Sequence, residues 1–173
     1  MNVALLLLRL MVGFTMFAHG YNHVWGGGKI AGTGRWFESL GLKPGILHAW
    51  MASITELVCG PMLILGVATP LAAAGVVGVM VVAFLTNHRP NGFFIFRPGE
   101  GYEYVLNLAV AGLALGGLGA GKFSVDNLFT SELLAGWKGL VITAVAGIGG
   151  ALLLLAVYWR PAKPEPAAPA DAS

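Results

Sequence analysis

The sequence predicts an all-α fold, a polytopic transmembrane helix bundle, on three observations. Hydrophobic residues make up 57% of the 173-residue chain and charged residues only 10%, whereas soluble globular domains carry about 25% charged residues to wet their surfaces. The apolar residues fall in runs close to the ~20 needed to cross a bilayer. Many of the 26 glycines lie inside those runs, at Gly13, Gly60, Gly75, Gly78, Gly112 and Gly116, where small residues let helices pack closely in lipid.

Five spans are expected, near 3–19, 46–66, 70–87, 101–118 and 137–159. The first is read as a retained span and not a signal peptide, because it has no basic leading region, carries Arg9 in its core and lacks a small-residue cleavage site. After it, Gly26 to Gly28 break the run, and Thr33 to Gly41 pair apolar and charged residues at helical spacing. That segment is expected to be an interfacial helix with Trp36 and Phe37 at headgroup depth. The second and third spans are separated only by Val67-Ala68-Thr69-Pro70 and should form a tight hairpin, since Pro70 can open a helix where its missing N–H is not needed. The loop from His88 to Gly99 is aromatic but punctuated by Pro90, Gly92 and Pro98; it is expected to dip into the interface, not to span. The Pro/Ala-rich tail, 161–173, is expected to be disordered.

Lys and Arg concentrate on cytoplasmic faces. Lys29, Arg35, Lys43, Arg89, Arg97, Arg160 and Lys163 fall on one predicted face, against Lys122 and Lys138 on the other. The amino terminus is therefore expected outside and the tail cytoplasmic. The scattered charges, summing to +2, give no support to nucleic-acid binding. The single cysteine, Cys59, excludes an intramolecular disulfide or dithiol relay and reads as a packing residue.

Ionisable groups inside a span cost about 2.5–3.5 kcal/mol on insertion scales, so each requires a partner. Glu56 should lie roughly 15 Å from the start of its helix and Arg9 roughly 9 Å from the opposite surface, close enough for the two heads to meet. Three readings stay open for them: a structural ion pair, a proton or quinone site, and a transport pathway. His19, His48, His88, Tyr102, Glu103 and Tyr104 should gather at the ends of their spans on the cytoplasmic side, with Asn107 one turn below Glu103. Ordinary interfacial hydrogen bonding explains this group most simply, and a buried amide such as Asn107 should bond a neighbouring helix. With His19 and His23 expected partly in a loop, no pair is read as a metal-ligand spacing such as HxxxH or ExxH, and no metal site is expected. A polar quinone head suits the group better than a metal.

The motifs Leu7-Leu8-Arg9-Leu10, Gly13, Phe17 and His19-Gly20 are spaced as in the opening of the DoxX family. The match continues through Trp36 to Leu42, Thr55-Glu56-Leu57-Val58 with Gly60, Leu65 to Thr69, Asn87 to Phe94, Gly101 to Tyr104 and Ser124-Val125-Asp126. Over residues 3–127 the chain resembles DoxX. The resemblance implies a DoxX-like four-helix membrane domain over 1–127, a bacterial inner-membrane location, and relatives named for a thiosulfate:quinone oxidoreductase subunit or for oxidative-stress complexes. It places His19, Glu56, His88 and Glu103 on recurring polar positions of the family. The chain departs from the pattern at Asn22 and His23, where the family often has a basic or amide residue, and at Pro70, where it often has Arg. It departs again in a linker and one extra C-terminal transmembrane helix over 128–160, a candidate docking surface for another membrane subunit.

The expected function is a DoxX-like inner-membrane subunit of a redox complex, quinone-linked or protective against oxidative stress. A polar pocket or proton relay of Arg9, His19, Glu56, His88, Glu103 and Asn107 would hold quinone. No covalently bound cofactor is expected, because no GxGxxG, CxxC or haem-type His pair is present. Electrons would come from partners, soluble redox enzymes or another membrane subunit, so the chain is at most one subunit of an oxidoreductase. The rivals are a non-enzymatic scaffold that recruits soluble redox enzymes and, last, a small-molecule or lipid carrier.

Overall fold

The computed structural model describes residues 1–129 and 135–161, and most of the Pro/Ala-rich tail lies outside the described residues. Its elements are α1 (Asn2–Trp25), α2 (Lys29–Ser39), α3 (Gly45–Leu65), α4 (Thr69–Asn91), α5 (Glu103–Leu118), a single turn α6 (Asp126–Phe129) and α7 (Gly136–Tyr158). Helices α1, α3, α4 and α7 are long and apolar enough to cross a membrane. This is a multi-pass membrane protein. The fourth expected span, α5, has 16 residues, or about 24 Å; it is short because Gly99 and Gly119, both at positive φ, turn the chain at its two ends.

The surface is inverted relative to a soluble protein. Large apolar side chains such as Leu7, Phe14, Ile54, Val58 and Leu153 are half or more exposed, which suits a hydrocarbon solvent and no other. Small residues set the packing inside. A Cβ on Gly13 would stand 2.6 Å from the Gly60 carbonyl oxygen, and one on Gly60 would stand 2.7 Å from the Gly13 carbonyl oxygen. The backbones of α1 and α3 therefore touch there, and that contact fixes their register. Helix α4 runs through the centre and packs on α3, α5 and α7, with Ala72, Ala73, Val76 and Met80 in the core beside Cys59 and Leu63. Cys59 is a buried packing residue, as its apolar setting predicts.

The expected hairpin is present. Gly66 ends α3 in the left-handed region and Pro70 sits in the first turn of α4. The segment after α5 closes over it: Val125 N–H donates to Leu65 O (3.1 Å), Asp126 N–H donates to Gly66 O (2.9 Å), and the Asp126 carboxylate accepts from Ala68 N–H (2.7 Å) and Thr69 N–H (2.8 Å). One aspartate thus satisfies the orphan amides that open α4.

At the other face the α2–α3 linker meets the end of α7. Lys43 N–H donates to Tyr158 O (3.3 Å), Trp159 Nε1–H to Leu40 O (2.9 Å) and Arg160 N–H to Gly41 O (2.7 Å). The 92–102 loop lies at this face too, held by Tyr102 N–H to Gly92 O and Glu103 N–H to Phe93 O. The predicted co-location of loop one, loop three and the carboxyl-terminal segment is therefore a property of the fold.

Candidate functional site

Two polar clusters sit on α1, one near each end. At the amino-terminal end Arg9 is completely buried, its Nη2 donates to the Phe123 carbonyl, and Asp126 is the charge facing it. Its guanidinium occupies the space where a Gly66 Cβ would be, 1.7 Å from Nη1. Arg9 therefore lies against the carboxyl-terminal end of α3, where a cation is favoured.

The expected meeting of Arg9 and Glu56 does not occur. Gly13 opposes Gly60 and Gly20 opposes Glu56 and Leu57, so Arg9 and Glu56 stand about eleven residues, or roughly 16 Å, apart along the helix pair. The sequence expectation sets the start of α1 level with the end of α3 at one surface. The Gly13–Gly60 contact instead staggers them, leaving the first turns of α1 to be covered by residues 121–126.

At the other end, helix α1 continues past Gly20 to Trp25 because Tyr21 to Trp25 contain no breaker and the glycine run begins only at Gly26. This corrects the expectation that His19 and His23 lie partly in a loop: they are four residues apart on one helical face. Each takes a different partner. His23 Nδ1 lies 3.0 Å from Glu56 Oε2, with the Glu56 side chain 4% exposed. His19 Nε2 lies 3.1 Å from the Tyr104 hydroxyl, and Tyr104 is within electrostatic reach of Glu56.

These groups border a cavity of about 420 Å³. Its polar lining includes His19, His23, His48, Glu56, His88 and Tyr104; much of its apolar wall comes from α4 and α7. His88 is committed on both ring nitrogens. Nδ1–H donates to Glu100 O (2.9 Å), which leaves Nε2 to accept from the Asn87 amide (3.4 Å), so His88 braces the cavity rim. The cavity-lining residues of α4 include Thr86, Asn87 and His88, part of a π-helical turn, Phe84–His88, and α7 lines it at a second π-turn, Val145–Gly149. Such turns are frequent at functional sites because they widen a helix locally.

Of the six candidates, His19, Glu56 and His88 line this cavity. Arg9 belongs to the opposite lock. Glu103 turns its carboxylate to the 92–102 loop, where Oε2 accepts from Ile95 N–H (3.2 Å). Asn107 is exposed and donates to the Glu103 carbonyl of its own helix (2.9 Å), not to a neighbouring helix. The candidates omitted His23, His48 and Tyr104. The His19–His23 spacing was the available signal for the first, hidden by ending the span at 19. Among the described residues no cluster of three His, Cys, Asp or Glu has the arrangement of a metal site.

With this geometry in hand, comparison with known proteins places the chain. Residues 4–89, which carry Arg9, His19, His23, Glu56 and His88, match the DoxX family model. Through these residues the chain belongs to the DoxX family. An uncharacterized membrane protein of Mycobacterium tuberculosis is 26% identical over 136 residues, covering 74% of this chain and 82% of the relative. No solved structure matches the chain. The DoxX match ends at Arg89, so the Tyr104 side of the cavity and its α7 wall lie beyond the matched residues.

Proposed function

We propose that this DoxX protein is the membrane subunit of a bacterial redox complex and that its cavity binds a quinone and relays protons to it. The observation that carries this reading is the His23–Glu56 contact at the edge of a largely apolar cavity. A carboxyl–imidazole pair held away from water exchanges a proton at low cost, because charge created on one member is compensated by the other. Tyr104–His19, a more exposed phenol–imidazole contact, supplies a second proton-carrying pair one turn along α1. Quinone reduction to quinol consumes two electrons and two protons. The pairs would furnish the protons, and a redox centre on a partner subunit the electrons.

The face bearing Arg35, Lys43, Arg89, Arg97 and Arg160 is the cytoplasmic one on this reading, by the excess of cations. It is where an electron-donating partner would dock. The test is turnover by the protein purified with its native partners. Wild type should reduce quinone, and Glu56→Gln should slow it on the order of 10²-fold with the complex still assembled. Undiminished turnover in Glu56→Gln removes the relay.

A scaffold reading draws on the same cationic face and on Phe96, 79% exposed at the tip of the 92–102 loop. It predicts that Glu56→Gln leaves the cellular phenotype intact while Phe96→Ser releases the soluble partner.

A further inference from the structure

The cavity is not closed on the α7 side. Ala146 and Gly150 line it and are exposed on the outer surface of the bundle, as is Met51 across the gap on α3. A Cβ placed on Gly150 would meet nothing within 4 Å. The floor between α3 and α7 is a helical stripe of α4, Gly75, Gly78, Val79 and Val82, leading to Thr86. Gly75 is pressed against Cys59 and Thr55 of α3, and Gly78 lies beside Gly147 of α7.

This opening is a window and not a groove. Towards the centre of the bilayer it ends where α7 settles on α4, with Thr143 Oγ1 donating to Pro70 O (2.9 Å) and Gly147 against Ala74 and Val77. Towards the other face it ends where Tyr158, Trp159 and Arg160 bond the α2–α3 linker. Between those tethers it spans about eleven residues of α7, roughly 16 Å. A transmembrane helix, about 10 Å wide, needs a groove open at its ends. A single hydrocarbon chain needs only the window, and at this depth the medium outside is lipid acyl chain, so whatever passes is apolar.

A second observation points to a ligand. His48 lines the cavity, is 3% exposed, and its Nε2 has no partner. The ring is held against Tyr158 of α7 (centroids 5.0 Å apart) and hydrogen-bonds the Lys43 backbone. With Nδ1–H given to that carbonyl, the neutral ring keeps a bare Nε2 lone pair buried in the cavity wall. Leaving such a group unbonded in apolar surroundings is unfavourable, and a hydroxyl-bearing ligand would satisfy it.

We propose that the window between α3 and α7 is a lateral portal for a lipid-dissolved ligand with a hydroxylated ring and one long hydrocarbon chain. The chain lies over Gly78 and leaves past Gly150, and His48 Nε2 accepts a hydrogen bond from a ring hydroxyl. This rests on the quinone reading above and adds the route of entry, the single tail and a binding residue for the reduced, hydroxyl-bearing form. The portal's outer wall, α7, lies beyond the family-matched residues.

The experiment uses the full chain in lipid nanodiscs and two probes, a naphthoquinol with a long isoprenoid chain and its tailless analogue. Wild type should bind both, the long-chained one more tightly. Gly150→Phe should weaken the long-chained probe at least tenfold and the tailless one less than twofold. Ala146→Phe should repeat that pattern, with Leu153→Phe on the lipid-facing side as a control without effect. His48→Phe should weaken both probes by a similar factor, about fivefold. Unchanged affinity for the long-chained probe in both portal variants overturns the portal and leaves the head site standing. Failure of wild type to bind either probe overturns the quinone reading and the portal with it. Loss of a co-purifying membrane protein in Gly150→Phe, with probe affinity unchanged, assigns the window to a partner helix and also overturns the proposal.

Discussion

The two ends of α1 carry buried charge in opposite ways. Around Arg9 the guanidinium is fully buried, a carbonyl and Asp126 face it, and the backbone of Gly66 presses on it. Around His23 and Glu56 the carboxylate is nearly as sheltered, but the pair opens onto a cavity of about 420 Å³. The first cluster ties together the end of α3, the start of α4 and the segment after α5. The second leaves room for a ligand. A costly buried charge is therefore not in itself a sign of a reactive site; empty volume beside it is what distinguishes a site from a lock.

The largest effect expected from this contrast is at Arg9. Arg9→Met should cost about 3–5 kcal/mol, because it removes the buried cation that faces Asp126 and leaves the Phe123 carbonyl without its donor, and thermal unfolding in mild detergent would show it. Adding Asp126→Asn to that variant should cost clearly less than Asp126→Asn alone, since the two residues share one network. Full additivity would break the description of a lock.

Gly66→Ala comes next. It forces a side chain into φ +69°, a strain of about 1–3 kcal/mol, and displaces the Arg9 guanidinium. The melting temperature should fall while quinone affinity of the remaining folded protein is unchanged. A change in affinity would mean that the two ends communicate.

Glu56→Gln sharpens the contrast from the other side. The amide keeps the shape and its place beside His23, so stability should move by less than about 1.5 kcal/mol even as the proposed proton relay is lost. Destabilisation on the scale of Arg9→Met would make Glu56 a second lock. The smallest effect belongs to Asn107→Ala, within about 0.5 kcal/mol and with no change in ligand affinity, because the amide bonds only its own helix.

Sequence alone determined the medium and the elements that medium requires. Hydrophobic runs of the right length, glycines within them and Pro70 at the start of a helix place most helix ends to within a few residues, the end of α1 at Trp25 being the exception, because a backbone in hydrocarbon must satisfy its own hydrogen bonds and has few ways to do so. The polar residues worth attention were legible for the same reason, each being too costly to occur in lipid without a partner. Which partner each one takes was decided only in three dimensions. Arg9 and Glu56 differ in depth through the stagger of α1 on α3, set by the backbone contact of Gly13 with Gly60. The cavity exists because α4 presents small residues between two helices that its own sequence does not name. Pairing of buried charges falls off over a few ångströms, so a shift of two helical turns, invisible in hydropathy, separates one expected ion pair into a structural lock and a candidate site.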